Sequence, residues 1–270
     1  MRLLAAAGAD GLAARDYRAT ELAEQAATLD AAPAAGAPGQ PTFERGPGSA
    51  MRRFLHDIHL GRVDPRALGF RVVRPDVEAP DFAAFLQAAA AVGRLPQLAD
   101  ELRPQLGQYA KLRDALARYR VLTADGSVGS SPVSAPEKRD EAYGDPTALL
   151  RRLIALGDLP PDAPPPADRD DATLDNGLRR FQDRHGLAAD GVIGRATLAA
   201  LNVPIAHRVQ QLKLALERLR WLQDLGARPF VGINIQMFRL WAWDPAAPTD
   251  ALISMGVVVG RAEHPDASAD

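Results

Sequence analysis

Few residues in this 270-residue sequence could do chemistry. His56 and His59 flank Asp57 three residues apart, a spacing at which a helix can turn two imidazoles toward one metal ion. No third ligand lies nearby in sequence, so the pair reads instead as a solvated helix face, with His59 or Arg62 satisfying carbonyls at the helix C-terminus. His185 and His207 read as structural or exposed. Trp221, Trp241 and Trp243 have faces suited to stacking on sugar rings; Trp221 continues an apolar helical seam and the other two fall in strand patterns, which favours core packing for all three. Arg180, Gln182 and Arg184 surround Phe181 and could hold carboxylates through bidentate, charge-assisted hydrogen bonds, although such helix faces are commonly just hydrated. Asp190 could contact an amine, and its place beside Gly191 already suits a turn.

What the sequence lacks narrows the classes further. It contains no cysteine, which removes disulfides, thiolate-ligated zinc and thiol nucleophiles. It has no phosphate-cradling glycine loop and no Gly-x-Ser-x-Gly elbow, so nucleotide use and serine hydrolysis lack support and no cofactor is expected. A formal net charge of -2 and a pI near 6.2 give no field that would hold nucleic acid. No window approaches the roughly 20 apolar residues of a membrane-spanning helix, and the apolar run Leu3–Ala7 is too short for a signal-peptide core.

The elements that must position these residues follow from periodicity. The first half reads as helical: a turn set from Ala19 to Asp30, a Pro/Gly/Ala-rich loop from Ala31 to Gly48, and a helix capped by Ser49 with Met51, Leu55, Ile58 and Leu60 on one face. Further helices run from Pro80-Asp81 to Gly93 and along Tyr109, Leu112, Leu116 and Tyr119. Thr123–Glu137 is a break. Pro146–Leu156, the Leu174/Leu178/Phe181 stripe and Arg195–Leu201 then form three short helices, with an Asp190-Gly191 turn before the last. After Pro204, Val209, Leu212, Leu216, Leu219 and Leu222 make the clearest helical seam. Beyond Gly226 the period switches to two, predicting a meander of three strands over Val231–Ile235, Phe238–Trp243 and Ile253–Val259.

The segment Leu178–Asn202, with its order F-Q-x-x-x-G-L-x-x-D-G-x-x-G-x-x-T-x-x-A-L, resembles the peptidoglycan-binding domain family. Phe181, Leu187 and Ile193 fill the core in that pattern, Asp190-Gly191 reverses the chain, and Thr197 sits where its hydroxyl can satisfy a backbone group. On either side, His59–Phe70, Leu214–Leu222 and the strands from Val231 to Val259 resemble the large, scaffold-bearing L,D-transpeptidases. The resemblance implies a cysteine thiolate in a Ser-His-Gly-Cys-x-Arg motif. No part of that motif is present, so the chain as written is expected to be catalytically inactive, cut short at both ends by truncation, frame shift or an incomplete gene model.

The expected fold is mainly α: a helical scaffold domain over 1–142, a three-helix peptidoglycan-binding-like bundle over 143–204, a connecting helix over 205–228 that packs on the scaffold, and an incomplete antiparallel β meander over 229–270. The resemblance implies a peptidoglycan-binding and scaffold role in cell-wall cross-linking, in the periplasm or cell envelope. The implied partner is glycan strands or stem peptides, met through Arg180, Phe181, Gln182, Arg184 and Asp190. A non-enzymatic helical interaction module is the alternative. One apolar face of the meander lacks a covering layer, which predicts self-association there.

Overall fold

A computed structural model describes residues 2–31, 46–70, 80–126, 132–134, 145–166, 171–222, 229–235, 238–244, 246 and 253–260. The mainly α architecture holds, with a run of helices followed by a three-stranded antiparallel sheet. Two compact units divide the chain, one formed by Met1–Ala124 with Ile205–Ala227 and the other by Asp125–Pro204 with Arg228–Asp270.

The first unit contains α1 (Arg2–Ala5), α2 (Ala19–Ala31), α3 (Pro47–Leu60), α4 (Phe82–Ala91), α5 (Leu95–Leu102) and α6 (Gly107–Asp125). Two local expectations are corrected. Helix α3 starts at Pro47, whose fixed φ suits a first turn, and Ser49 lies inside it, its hydroxyl donating to the Gly46 carbonyl at 3.1 Å rather than capping. Helix α5 follows Gly93, where the periodicity places no further helix before Tyr109; its Pro96 falls in the first turn, where a missing N–H costs nothing. Asp81 caps α4 as its sequence suggests, accepting from Ala83 and Ala84.

Met51, Phe54, Leu55 and Ile58 of α3 bury against Leu4, Tyr17, Leu22, Phe82 and Leu102. The histidines of α3 are absorbed into this packing: both rings meet Phe82 edge-on, and His59 Nδ1 lies 2.9 Å from the Leu102 carbonyl. His59 thus serves a helix C-terminus, but that of α5 rather than its own.

A second core joins Tyr109 and Leu116 of α6 to Leu216 of the helix Ile205–Arg220. Its polar centre is Arg220, fully buried, which donates to the Tyr109 hydroxyl at 3.1 Å, to the Asp10 main-chain carbonyl and to Glu217 at 2.8 Å. Tyr109 in turn donates to the Asp10 carboxylate, which also receives Arg103 through two bonds. Burial pushes the Tyr109 hydroxyl up to about 12, keeping it a neutral donor.

In the second unit, strands β1 (Phe230–Asn234), β2 (Arg239–Trp243) and β3 (Ile253–Gly256) pair in that order. The third strand is shorter than its alternation suggests, and Val258 beyond it is almost wholly exposed. The register puts Val231, Ala242 and Ile253 in one row and Ile233, Leu240 and Met255 in the next, making an aliphatic face. Val231, Ile233, Ile253 and Met255 are 53–61% exposed, so this face is uncovered among the described residues, as expected.

Candidate functional site

Three helices build the candidate module: α7 (Pro146–Leu156), α8 (Ala172–Arg184) and α9 (Arg195–Leu201). Each of the first two is started by an aspartate. Asp145 accepts from Ala148 N–H, and Asp171 from Thr173 and Leu174 N–H. Gly157, at φ 85°, closes α7 in the left-handed conformation that glycine adopts without strain. Helix α7 packs on α8, and Leu149, Leu153 and Leu156 of the first, Leu174, Leu178 and Phe181 of the second, and Ile193 and Leu201 are all buried. At Gly177 the segment after α7 comes close enough to α8 that a Cβ would lie 2.6 Å from Leu159 Cγ.

The five candidate contact residues separate into three situations. Phe181 and Gln182 are interior, both at 0% exposure. Gln182 is a four-way tie inside the fold: its Nε2 donates to Asp190 Oδ1 at 3.0 Å, to the Val192 carbonyl at 2.9 Å and to Thr197 Oγ at 3.2 Å, while its Oε1 accepts Gly191 N–H at 2.9 Å. Thr197 therefore serves a side chain, where the spacing had suggested a backbone group. Three acceptors share the two Nε2 hydrogens and Oε1 takes the Gly191 N–H, so the amide is committed inside the fold and Gln182 holds the turn.

Arg184 is also committed. It grips Asp158, which is 3% exposed, through Nε at 2.6 Å and Nη2 at 2.7 Å, and its guanidinium lies 5.4 Å from the centre of the Phe181 ring. Asp190 reaches solvent. Val192 N–H and then the Gln182 amide hold its carboxyl below the ordinary carboxylate value, so it stays ionised. Arg180 alone among the five is exposed with no hydrogen bond or ion pair to any described residue. The structure thus brings Gln182 to Asp190 and Arg184 to Phe181, and leaves Arg180 apart on the open surface of α8.

Residues outside the original set complete the turn. Arg179 bonds Asp175 at 2.7 Å and the Ala189 carbonyl at 2.8 Å, and both press on Gly191, whose φ of 75° and missing Cβ allow the approach. An i,i+4 Asp/Arg pair is visible in any helix reading; its second task, clasping a turn ten residues on, is not. Asn202 similarly pairs twice with the Val133 backbone, at 2.8 and 2.9 Å. Among the described residues no His/Asp/Glu group is arranged to hold a metal.

This geometry is where comparison with known families becomes informative. Residues 143–201 match the family described as "Putative peptidoglycan binding domain". The match spans α7, α8 and α9, including the Gln182 tie and the Asp190-Gly191 turn. Residues 1–116 match the scaffold domain family. No curated protein matches the chain. A scaffold domain and a peptidoglycan-binding domain on one chain make this a peptidoglycan-related protein with a binding and scaffold role. No helix among the described residues is long and apolar enough to cross a membrane. The scaffold match ends at residue 116, while the first compact unit also takes up Ile205–Ala227 through Leu216 and Arg220.

Proposed function

We propose that this chain is the wall-holding part of an L,D-transpeptidase-like protein of the periplasm or cell envelope, its module engaging peptidoglycan while the scaffold positions it. The observation that carries the proposal is the intact peptidoglycan-binding-type bundle, from its Asp145 and Asp171 caps to the Gln182 tie. With no cysteine in the sequence, the thiolate nucleophile of that chemistry is not among these residues. The contribution here is binding and placement.

Of the five candidate contacts, Arg180 is the one whose side chain is open to an incoming carboxylate, and the free edge of Asp190 suits an amine or amide N–H. Phe181 and Gln182 act from inside, and Arg184 is engaged with Asp158. The second reading, a helical module that positions a protein partner without touching glycan, draws on the exposed aliphatic sheet face, which would also serve self-association. Replacing Arg180 by alanine separates the two. Retention of the wild type on purified sacculi drops several-fold in the variant under the first reading with thermal stability unchanged, whereas under the second neither wild type nor variant is retained.

A further inference from the structure

The other face of the sheet is chemically unlike the aliphatic one. Alternation along β2 places Trp243, Trp241 and Arg239 on one side, about 7 Å apart. Phe230 stacks on Trp243 with ring centres 4.6 Å apart, and Trp241 lies 6.2 Å from Trp243. The register sets Trp241 between Gly232 and Ser254. Neither neighbour has the bulk to cover an indole, and Ser254 is exposed. All three rings are half-buried, standing at the surface of the sheet.

This face meets the module. Arg239 donates to Asp183 at 3.0 Å, which ties the end of the aromatic row to the outer surface of α8. Arg180 lies three residues before Asp183, one helical turn along the same ridge. Trp241 thus has a small residue on each neighbouring strand, and the Arg239–Asp183 pair brings the end of the aromatic row to the helix that carries Arg180.

We propose that Trp241 and Trp243, with Arg180 on the neighbouring helix as the cation, form a saccharide-binding surface that takes the glycan strand of peptidoglycan, its sugar faces on the indoles and its acidic substituents toward Arg180. Apolar sugar faces suit indole surfaces, and a carboxylate-bearing glycan matches the one uncommitted guanidinium of the set. The proposal rests on the wall-binding reading and deepens it, assigning the recognised component to glycan rather than stem peptide.

The test titrates the full chain with soluble glycan strands stripped of stem peptides and follows tryptophan fluorescence, alongside cosedimentation with intact sacculi. The strands should shift the emission saturably. Trp241→Leu and Arg180→Gln should each weaken the strands' binding about fivefold or more. Ser254→Glu, an exposed change beside Trp241 that leaves the sheet's packing alone, should weaken acidic strands more than neutral N-acetylglucosamine oligomers. Sacculus retention with no fluorescence response to stripped strands, or with binding indifferent to Ser254→Glu and Arg180→Gln, would overturn the saccharide surface and leave wall binding standing. Loss of both sacculus and strand binding in the wild type would overturn both.

Discussion

The Gln182 side-chain amide lies 3.0 Å from Asp190 Oδ1 and takes the neighbouring Gly191 N–H on its carbonyl, so one buried residue of α8 fixes both halves of the turn that leads into α9. A residue that looked like a ligand contact in the sequence is the internal strut of the module. Its amide is the one side chain of its size that can donate to a carboxylate and a carbonyl while accepting from a backbone N–H.

Gln182→Leu should therefore destabilise the module by about 1–3 kcal/mol, the cost of leaving the Gly191 N–H and the Val192 carbonyl without partners at this part-buried turn and Thr197 Oγ without one in the interior. Gln182→Glu keeps the acceptor but sets a second carboxylate beside Asp190, so its defect should be largest at neutral pH and shrink in acid. Urea unfolding of both variants at pH 7 and pH 4 checks the pattern.

Asp190 predicts a pH dependence of definite sign. Its carboxyl titrates below the ordinary value, held down first by the Val192 N–H, so the stabilisation it gives is fully present above the unfolded-state value near 3.9 and lost as pH falls through the lower folded-state one. The stability difference between wild type and Asp190→Ala should be constant from neutral pH to about pH 5 and vanish in stronger acid. A difference that grew on acidification would break this account of the turn.

Much of this module was legible because its signals are local. Asp190 before Gly191 and the three- and four-residue spacing of Leu174, Leu178 and Phe181 each report on a few neighbours in sequence, and each landed where expected. Gln182 and Arg184 misled for the opposite reason. Their partners, Thr197 and Asp158, lie 15 and 26 residues away, and nothing in a helical wheel distinguishes a polar side chain turned into such a partner from one turned to water. The same limit hid Arg220, whose partner Asp10 stands 210 residues earlier. The two faces of the sheet were visible as alternation, but which face carries the tryptophans together with Arg239 required the register.

Gly177 sets two effects against each other. Alanine there gains about 1 kcal/mol of helix propensity but drives a methyl group into Leu159, a clash of the kind that costs about 1–3 kcal/mol. Gly177→Ala should thus be net destabilising, and pairing it with Leu159→Ala should recover part of the loss. Thermal denaturation of the two single variants and the double variant reads this coupling directly.

In the first unit, Arg220→Ala removes the buried guanidinium that links Tyr109, Glu217 and the Asp10 carbonyl. A loss of about 3 kcal/mol is expected. Because Leu216 of the same helix packs on Tyr109 and Leu116, amide exchange should accelerate in Gly107–Asp125 as well as in Ile205–Arg220. Acceleration confined to Ile205–Arg220 would show that the helix is dispensable to the scaffold's core.

The central claim, that the chain binds peptidoglycan, is tested most directly by a cosedimentation isotherm of the full chain on purified, protein-free sacculi. The account predicts saturable retention that Arg180→Ala weakens several-fold. Wild-type protein remaining in the supernatant at every concentration, while an established wall-binding protein pellets in the same tubes, would contradict it.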